Sequence, residues 1–183
     1  MVIIFTGNGK GKTTAAIGQA IRALGRGKKV LILQFIKNIE TGEHLFFKKL
    51  KNKDLRFKII PAGKGFVKIL GDKLPLSEHK KAAQNALKLT KKEIAGKKWD
   101  FIILDEINVA VNLKLIKASD VLKIIKNIRI NPQYPHKSAS KIIILTGRGA
   151  PKSFIKLADL VTEMKEIKHP YNKGAKAMAG VEL

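Results

Sequence analysis

Thr6-Gly7-Asn8-Gly9-Lys10-Gly11-Lys12-Thr13-Thr14 lies between the apolar run Val2–Phe5 and a helical pattern over Thr13–Leu24. This stretch decides how the 183-residue chain is read. The pattern G-x-x-x-x-G-K-[ST] between a strand and a helix marks a loop that cradles phosphates. Gly11-Lys12-Thr13 matches the end of the pattern, while Thr6 stands at its first glycine, so the loop is a variant. Glycines such as Gly7 and Gly9 permit positive φ. Freed backbone N–H groups then form an anion-binding nest, and the following helix adds its positive N-terminal end. Lys12 brings a point charge to the phosphates, and the Thr13 hydroxyl is short enough to reach a bound magnesium ion. The phosphate-binding residues expected are therefore Gly7, Asn8, Gly9, Lys10, Gly11, Lys12, Thr13 and Thr14.

Outward from the loop, apolar runs alternate with helical patterns. Strands are expected at Val30–Phe35, Leu55–Ile60, Phe101–Leu104, Ile142–Leu145 and Val161–Ile167. The first helix shows Ile17, Ala20, Ile21 and Leu24 at i, i+3, i+4, i+7 spacing, with Gly25 placed to end it. Ser77 is read as the cap of a helix reaching about Ala95, and Ser119 as the cap of one whose face is Val121, Ile124, Ile125 and Ile128. A short helix is expected after Pro151. This alternation implies βαβ units, and strands lacking polar alternation imply cover on both faces. The expected fold is one α/β domain over residues 1–183, of RecA-like P-loop type. It has a mostly parallel sheet of about six strands with helices on both faces. Residues 36–54 and 61–76 read as long glycine-bearing connections, and the first leaves a strand's carboxyl end, where such folds bind ligands.

Ile102-Ile103-Leu104-Asp105-Glu106 is an apolar strand ending in acids, like a Walker B strand whose carboxylate holds magnesium. Asp105 and Thr13 are the expected magnesium partners. Glu106 is read as touching magnesium, water or the nucleotide sugar, or else as pairing with a surface lysine. Thr146-Gly147-Arg148-Gly149-Ala150-Pro151 ends another strand. Arg148 there suits an anionic ligand, and Pro151 equally suits the first position of a helix.

Composition removes several alternatives. Without cysteine there are no disulfides, thiolate metal sites or cysteine nucleophiles. No apolar run approaches the roughly 20 residues of a membrane span. The N-terminal apolar run is too short for a signal peptide, so a soluble, cytoplasmic protein is expected. The net charge of +23 favours polyanions. The lysines are nevertheless spread along the chain, with only two Tyr and one Trp as stacking platforms. They read as a solvated lysine-rich surface rather than a nucleic-acid site. His44, His79, His136 and His169 show no metal-ligand spacing, and Lys126–Lys141 reads as a solvated loop.

The combination of motifs resembles the P-loop type of ATP:corrinoid adenosyltransferases. The resemblance rests on the phosphate loop, Gln34-Phe35-Ile36-Lys37, Gly42-Glu43, Leu104-Asp105-Glu106-Ile107-Asn108 and Thr146–Pro151. It continues through Ala158–Met164, Lys168-His169-Pro170-Tyr171, Gly174, Lys176, Ala177 and Gly180-Val181-Glu182. It implies that ATP and a reduced corrinoid are the substrates and Mg2+ the cofactor. Co(I) of the corrinoid attacks the 5′ carbon of ATP, and inorganic triphosphate leaves. Cobalt being the nucleophile, no protein nucleophile or base is required, and none is evident. Lys12 and Glu106 become the catalytic candidates. The family binds ATP reversed relative to other P-loop enzymes, with the γ-phosphate in the usual β-phosphate place. An aromatic pair in the third connection displaces the lower cobalt ligand; Phe66 matches its first member, and Lys68 stands at the second. The resemblance further implies an electron donor such as a flavoprotein reductase, a homodimer, and a lid role for residues 168–183.

Overall fold

A computed structural model describes the chain except residues 39, 52–55, 70, 97, 130–140, 171–173, 175, 177 and 182–183. The elements run β1 (Val2–Thr6), α1 (Lys12–Gly25), β2 (Val30–Gln34), α2 (Gly42–Lys51), β3 (Phe57–Pro61) and α3 (Leu76–Ala95). They continue with β4 (Phe101–Asp105), α4 (Ile107–Asn112), α5 (Ala118–Arg129), β5 (Ile142–Thr146), α6 (Lys152–Leu157) and β6 (Leu160–Glu163). The six strands form one sheet in the order β3-β2-β4-β5-β1-β6. Every neighbouring pair is parallel. Register levels the strand ends: Gln34 pairs with Asp105, Leu104 with Leu145, and Phe5 with Thr146. Thr6, Gln34, Asp105 and Thr146 thus finish along one edge of the sheet.

Successive strand residues point to opposite faces, so the uniformly apolar strands feed two cores. Ile4, Leu31, Leu33, Ile102, Leu104 and Leu145 pack with Ala83, Ala86, Ile107, Val121, Ile125 and Phe154 of α3 to α6. Ile3, Phe5, Ile32, Ile103 and Ile144 pack with Ala16, Ala20 and Ala23 of α1 and Phe47 of α2. The expected parallel α/β sheet with helices on both faces is present. The outermost strand differs: all four residues of β6 are exposed.

Several boundaries depart from the sequence reading. The connection 36–54 contains α2, whose bunched Leu45-Phe46-Phe47 shows no clean helical period. Only Phe47 is buried, with its ring stacked 3.7 Å from Phe57. Residues 107–112 form a helix that the sequence reading lacks. Gly25 lies inside α1; the left-handed residue after the helix is Gly27, φ 72. Ser77 and Ser119 sit within the first turns of α3 and α5 rather than capping them. Pro75, with its ring-fixed φ, precedes α3 instead. β6 stops at Glu163, because Met164 turns onto the phosphate loop. Most of Lys126–Lys141 lies outside the described residues, as do Tyr171, Ala177 and Glu182.

Candidate active site

The phosphate loop leaves β1 at the level edge of the sheet. Gly7 and Gly11 take φ 95 and 108, and Gly11 caps α1 by accepting the Ala15 N–H at 2.7 Å. A second demand for glycine comes from β6. The Gly9 N–H donates to the Met164 carbonyl at 2.7 Å, and the Met164 N–H donates to Thr6 at 2.8 Å. A Cβ on Gly7 would lie 2.3 Å from the Met164 carbonyl oxygen, and one on Gly9 would lie 2.7 Å from that of Lys165. The loop is therefore sealed against the exit of β6. Thr6, in the variant position, is buried and accepts the Ala150 N–H at 3.1 Å through its hydroxyl. That bond ties β1 to the strand end at Thr146–Pro151.

Lys12 is buried, and its ammonium donates back to the Gly9 carbonyl. Burial lowers its pKa, opposed by the charges of Glu106 and Asp105 and assisted by Arg148. Lys10, Asn8 and Thr14 are exposed on the loop, and Lys10 donates to the Val181 carbonyl of the C-terminal segment.

Asp105 is the hub of the site. Its Oδ1 accepts hydroxyl hydrogen bonds from Thr13 at 2.8 Å and Thr146 at 2.6 Å. Its Oδ2 accepts from the Gln34 amide at 3.0 Å. The structure thus joins the two sequence-derived magnesium partners, Thr13 and Asp105. Two hard oxygens, one at the start of α1 and one at the end of β4, fit magnesium, which binds through few carboxylates and completes its shell with phosphate and water oxygens. Among the described residues no cluster of three His, Cys, Asp or Glu offers a competing site.

Glu106 follows with a left-handed φ of 59, and its N–H donates to the Thr146 hydroxyl at 2.9 Å. Burial, then the Asp105 charge, pushes its carboxyl up to about 7, against Lys12, Lys37 and Arg148. No surface ion pair holds it among the described contacts. Gly147 takes φ 122, a backbone that favours glycine, and a Cβ there would sit 3.1 Å from both Glu106 Oε2 and the Val109 nitrogen. Asn108 donates to the Gly147 carbonyl at 3.1 Å, fixing that strand end to α4. Arg148 is exposed, with its charge felt at Lys12 and Glu106.

The segment after β2 lines the other side of Asp105. Lys37 and Glu43 form an ion pair at 2.8 Å. Burial opposes the Glu43 charge, but hydrogen bonds from Lys37 and Thr41 outweigh it and hold the carboxyl at about 2. Thr41 donates its N–H to His44 Nδ1 at 3.0 Å, which places the ring proton on Nε2. Gln34 Oε1, His44 Nε2 and Asn108 Oδ1 are buried without a hydrogen-bond partner among the described residues. Such orphaned atoms in a native fold mark a place for ligand or water.

Phe66 stands in the connection after β3 and is half exposed. That connection lies against the segment after β2: Gly63 donates to Lys37 at 3.1 Å and Gly65 to Ile36 at 2.8 Å. The sheet order puts β2, β4 and β5 between it and the phosphate loop. Strand spacing makes their starting points about 20 Å apart. Phe66 is thus on the same edge as the phosphate grip but at its far side. Gln34, Thr146 and Met164 were not singled out as site residues. Their signal was positional, since the first two end apolar strands and the third directly follows one.

The family model described as ATP:corrinoid adenosyltransferase BtuR/CobO/CobP matches residues 1–183. The chain is 34% identical over 184 residues to a corrinoid adenosyltransferase of Sinorhizobium sp, spanning all of this chain and 80% of that protein. It is 33% identical over 183 residues to the corrinoid adenosyltransferase of Escherichia coli strain K12, spanning all of this chain and 85% of that protein. Among solved structures, the flagellar accessory protein FlaH of Methanocaldococcus jannaschii superposes with a TM-score of 0.54 at 19% identity. That match covers 88% of this chain and 69% of the FlaH chain, and it shows the fold alone. With the phosphate loop, the Asp105 hub and full-length matches in agreement, this chain belongs to the ATP:corrinoid adenosyltransferase family and adenosylates corrinoids using ATP.

Proposed function

We propose that the sheet edge from Thr6 to Phe66 carries this reaction as one extended site, with ATP at the β1 side and the corrinoid toward β3. The observation that carries the reading is the Thr13–Asp105–Thr146 hydrogen-bond set beside the phosphate loop. Co(I) of the reduced corrinoid attacks the ribose 5′ carbon. A Co–C bond forms with both electrons from cobalt, which becomes Co(III). The C5′–O bond breaks, and its electron pair leaves on inorganic triphosphate. The protein's task is to hold reactants in line and stabilise the charge on the leaving group.

Lys12, Lys10 and the amides of Gly7–Thr14 supply positive charge to the triphosphate. Thr13 and Asp105 would hold magnesium, which adds charge neutralisation to the same oxygens. Arg148 adds a further cation, and Glu106 is assigned to substrate contact beside Asp105. Phe66 faces the corrinoid's lower side, while the C-terminal segment at Val181 acts as a lid on the phosphate loop, as the Lys10–Val181 bond supports. The active unit is a cytoplasmic homodimer supplied with electrons by a flavoprotein reductase. The test is incubation with MgATP and chemically reduced corrinoid, followed in the dark by visible spectroscopy. A light-sensitive cobalt–carbon product with one inorganic triphosphate is expected. ADP with phosphate, and no such product, would overturn the reading.

A further inference from the structure

The connection after β3 is organised around a single carboxylate that no catalytic argument uses. Asp72 Oδ2 accepts the Lys68 N–H at 2.8 Å, and Oδ1 accepts the Leu74 N–H at 3.1 Å. The Asp72 N–H donates in turn to the Ile69 carbonyl at 3.2 Å. The same Oδ2 lies 2.9 Å from His79 Nε2, on the first turns of α3. Since the other groups on Asp72 are donors, the carboxylate accepts here too and His79 carries its proton on Nε2. His79 is 3% exposed, and only 7% of the Asp72 side chain is exposed. This pair, whose imidazole is buried, therefore fixes the backbone at Lys68 and Leu74 to the rigid helix behind them.

The turn and the residue two before it leave large apolar side chains exposed. Phe66, Ile69 and Leu74 are 51%, 57% and 43% exposed. Lys68 takes φ 58, a left-handed backbone costly for a residue with a Cβ, while its N–H is bound to Asp72. A mobile loop would relax that backbone and fold its apolar side chains inward. Here the Lys68 and Leu74 amides are held, and Ile69 and Leu74 stay outside. Locking a binding surface before the ligand arrives removes the ordering cost from binding.

We propose that Asp72 and His79 are positioning residues for the corrinoid, holding Phe66 and Ile69 as a preformed apolar platform under it. Ile69 takes the place that the aromatic pair leaves open where Lys68 stands. The proposal rests on the adenosyltransferase reading, which supplies the ligand. It goes further by assigning the platform to a carboxylate–imidazole clamp outside contact range of ATP.

The experiment compares wild type, Asp72→Asn, His79→Leu and His79→Gln. It measures KM for corrinoid and for MgATP separately, and the spectrum of enzyme-bound Co(II) corrinoid with ATP. Misplacing the platform should raise the corrinoid KM roughly tenfold in Asp72→Asn and His79→Leu. The four-coordinate Co(II) signal should fall while the ATP KM stays within about twofold. His79→Gln, which retains an amide donor, should recover most of both. Unchanged corrinoid KM and Co(II) spectrum in Asp72→Asn overturn the proposal, as does an equal rise in both KM values. Should Asp72→Asn fail to fold, the contrast between His79→Gln and His79→Leu decides in the same terms. Hydrogen exchange at the Lys68 and Leu74 amides reports the clamp without turnover. A wild type that makes no cobalt–carbon product removes the ligand and with it the proposal, even where those amides are protected.

Discussion

The phosphate loop and the connection after β3 stand at opposite sides of one sheet edge and are built on opposite plans. The loop is fixed by backbone. The Gly9 amide bonds to the Met164 carbonyl, and Gly7 and Gly9 leave no room for a Cβ against Met164 and Lys165. The connection is fixed at Lys68 and Leu74 by side chains, with Asp72 and His79 pinning backbone beside the exposed Ile69 and Leu74. On the proposed placement of the ligands, the difference follows from what each side must hold. A triphosphate presents the same oxygens to every protein, so main-chain N–H groups and one lysine suffice. A corrinoid face needs shaped apolar contact, which only side chains supply. Backbone-built sites tolerate little change, whereas side-chain-built sites can exchange residues, as Lys68 in place of an aromatic illustrates.

The comparison breaks most sharply at Lys12. Replacing it with Ala should lower kcat/KM at least about a hundredfold, since a buried cation facing a leaving group is lost. Triphosphate release in single turnover measures this, and an active variant would remove the role assigned to Lys12. Phe66→Ala should act on the other substrate alone, raising the corrinoid KM roughly tenfold with the ATP KM unchanged. A parallel rise in both would mean that the two regions are not separate.

Gly9→Ala probes the backbone plan directly. Its Cβ would meet rigid main chain of residues 164–165, so a loss of about 1–3 kcal/mol in stability is expected from overpacking. Urea unfolding gives the number, and a neutral result would show that the β6 exit yields easily. The smallest effect concerns Glu106, measured on magnesium-free protein. Its carboxyl is raised from 4.5 to about 7 by burial and the Asp105 charge. The folded chain then keeps a proton that the unfolded chain has lost. Stability from this group is complete below about 4.5 and falls as pH rises through about 7. Glu106→Gln should flatten the Tm profile over that range by a few degrees. Equal slopes for variant and wild type would refute the raised pKa.

Legibility followed the same division. Strands β1, β2, β4 and β5 were readable because they are fully apolar, and α1 and α3 because their apolar residues keep a helical period. α2 was not, because Leu45, Phe46 and Phe47 are contiguous and only the packing of Phe47 on Phe57 selects a face. Nor was α4, whose six residues are too short for a period and whose start depends on the left-handed Glu106. Within the candidate site, Lys12, Thr13 and Asp105 could be proposed from the sequence because phosphate and magnesium chemistry call for those types at those places. Gln34 and Thr146 were not, because an ordinary strand-end residue gains its role from the strand beside it.

The sequence by itself determined the local chemistry. A glycine loop between strand and helix has the chemistry to bind phosphate, an apolar strand ends in acids, and without cysteine there is no thiol chemistry. These depend on residues adjacent in the chain, whose geometry is set by φ, ψ and residue type. Only the tertiary structure decided what meets what. Parallel register levelled Gln34, Asp105 and Thr146, and the β6 exit came to rest on Gly7 and Gly9. Asp72 likewise found His79 across the turn. Those contacts join residues whose separation in sequence carries no signal, because they are fixed by the packing of layers rather than by any local rule.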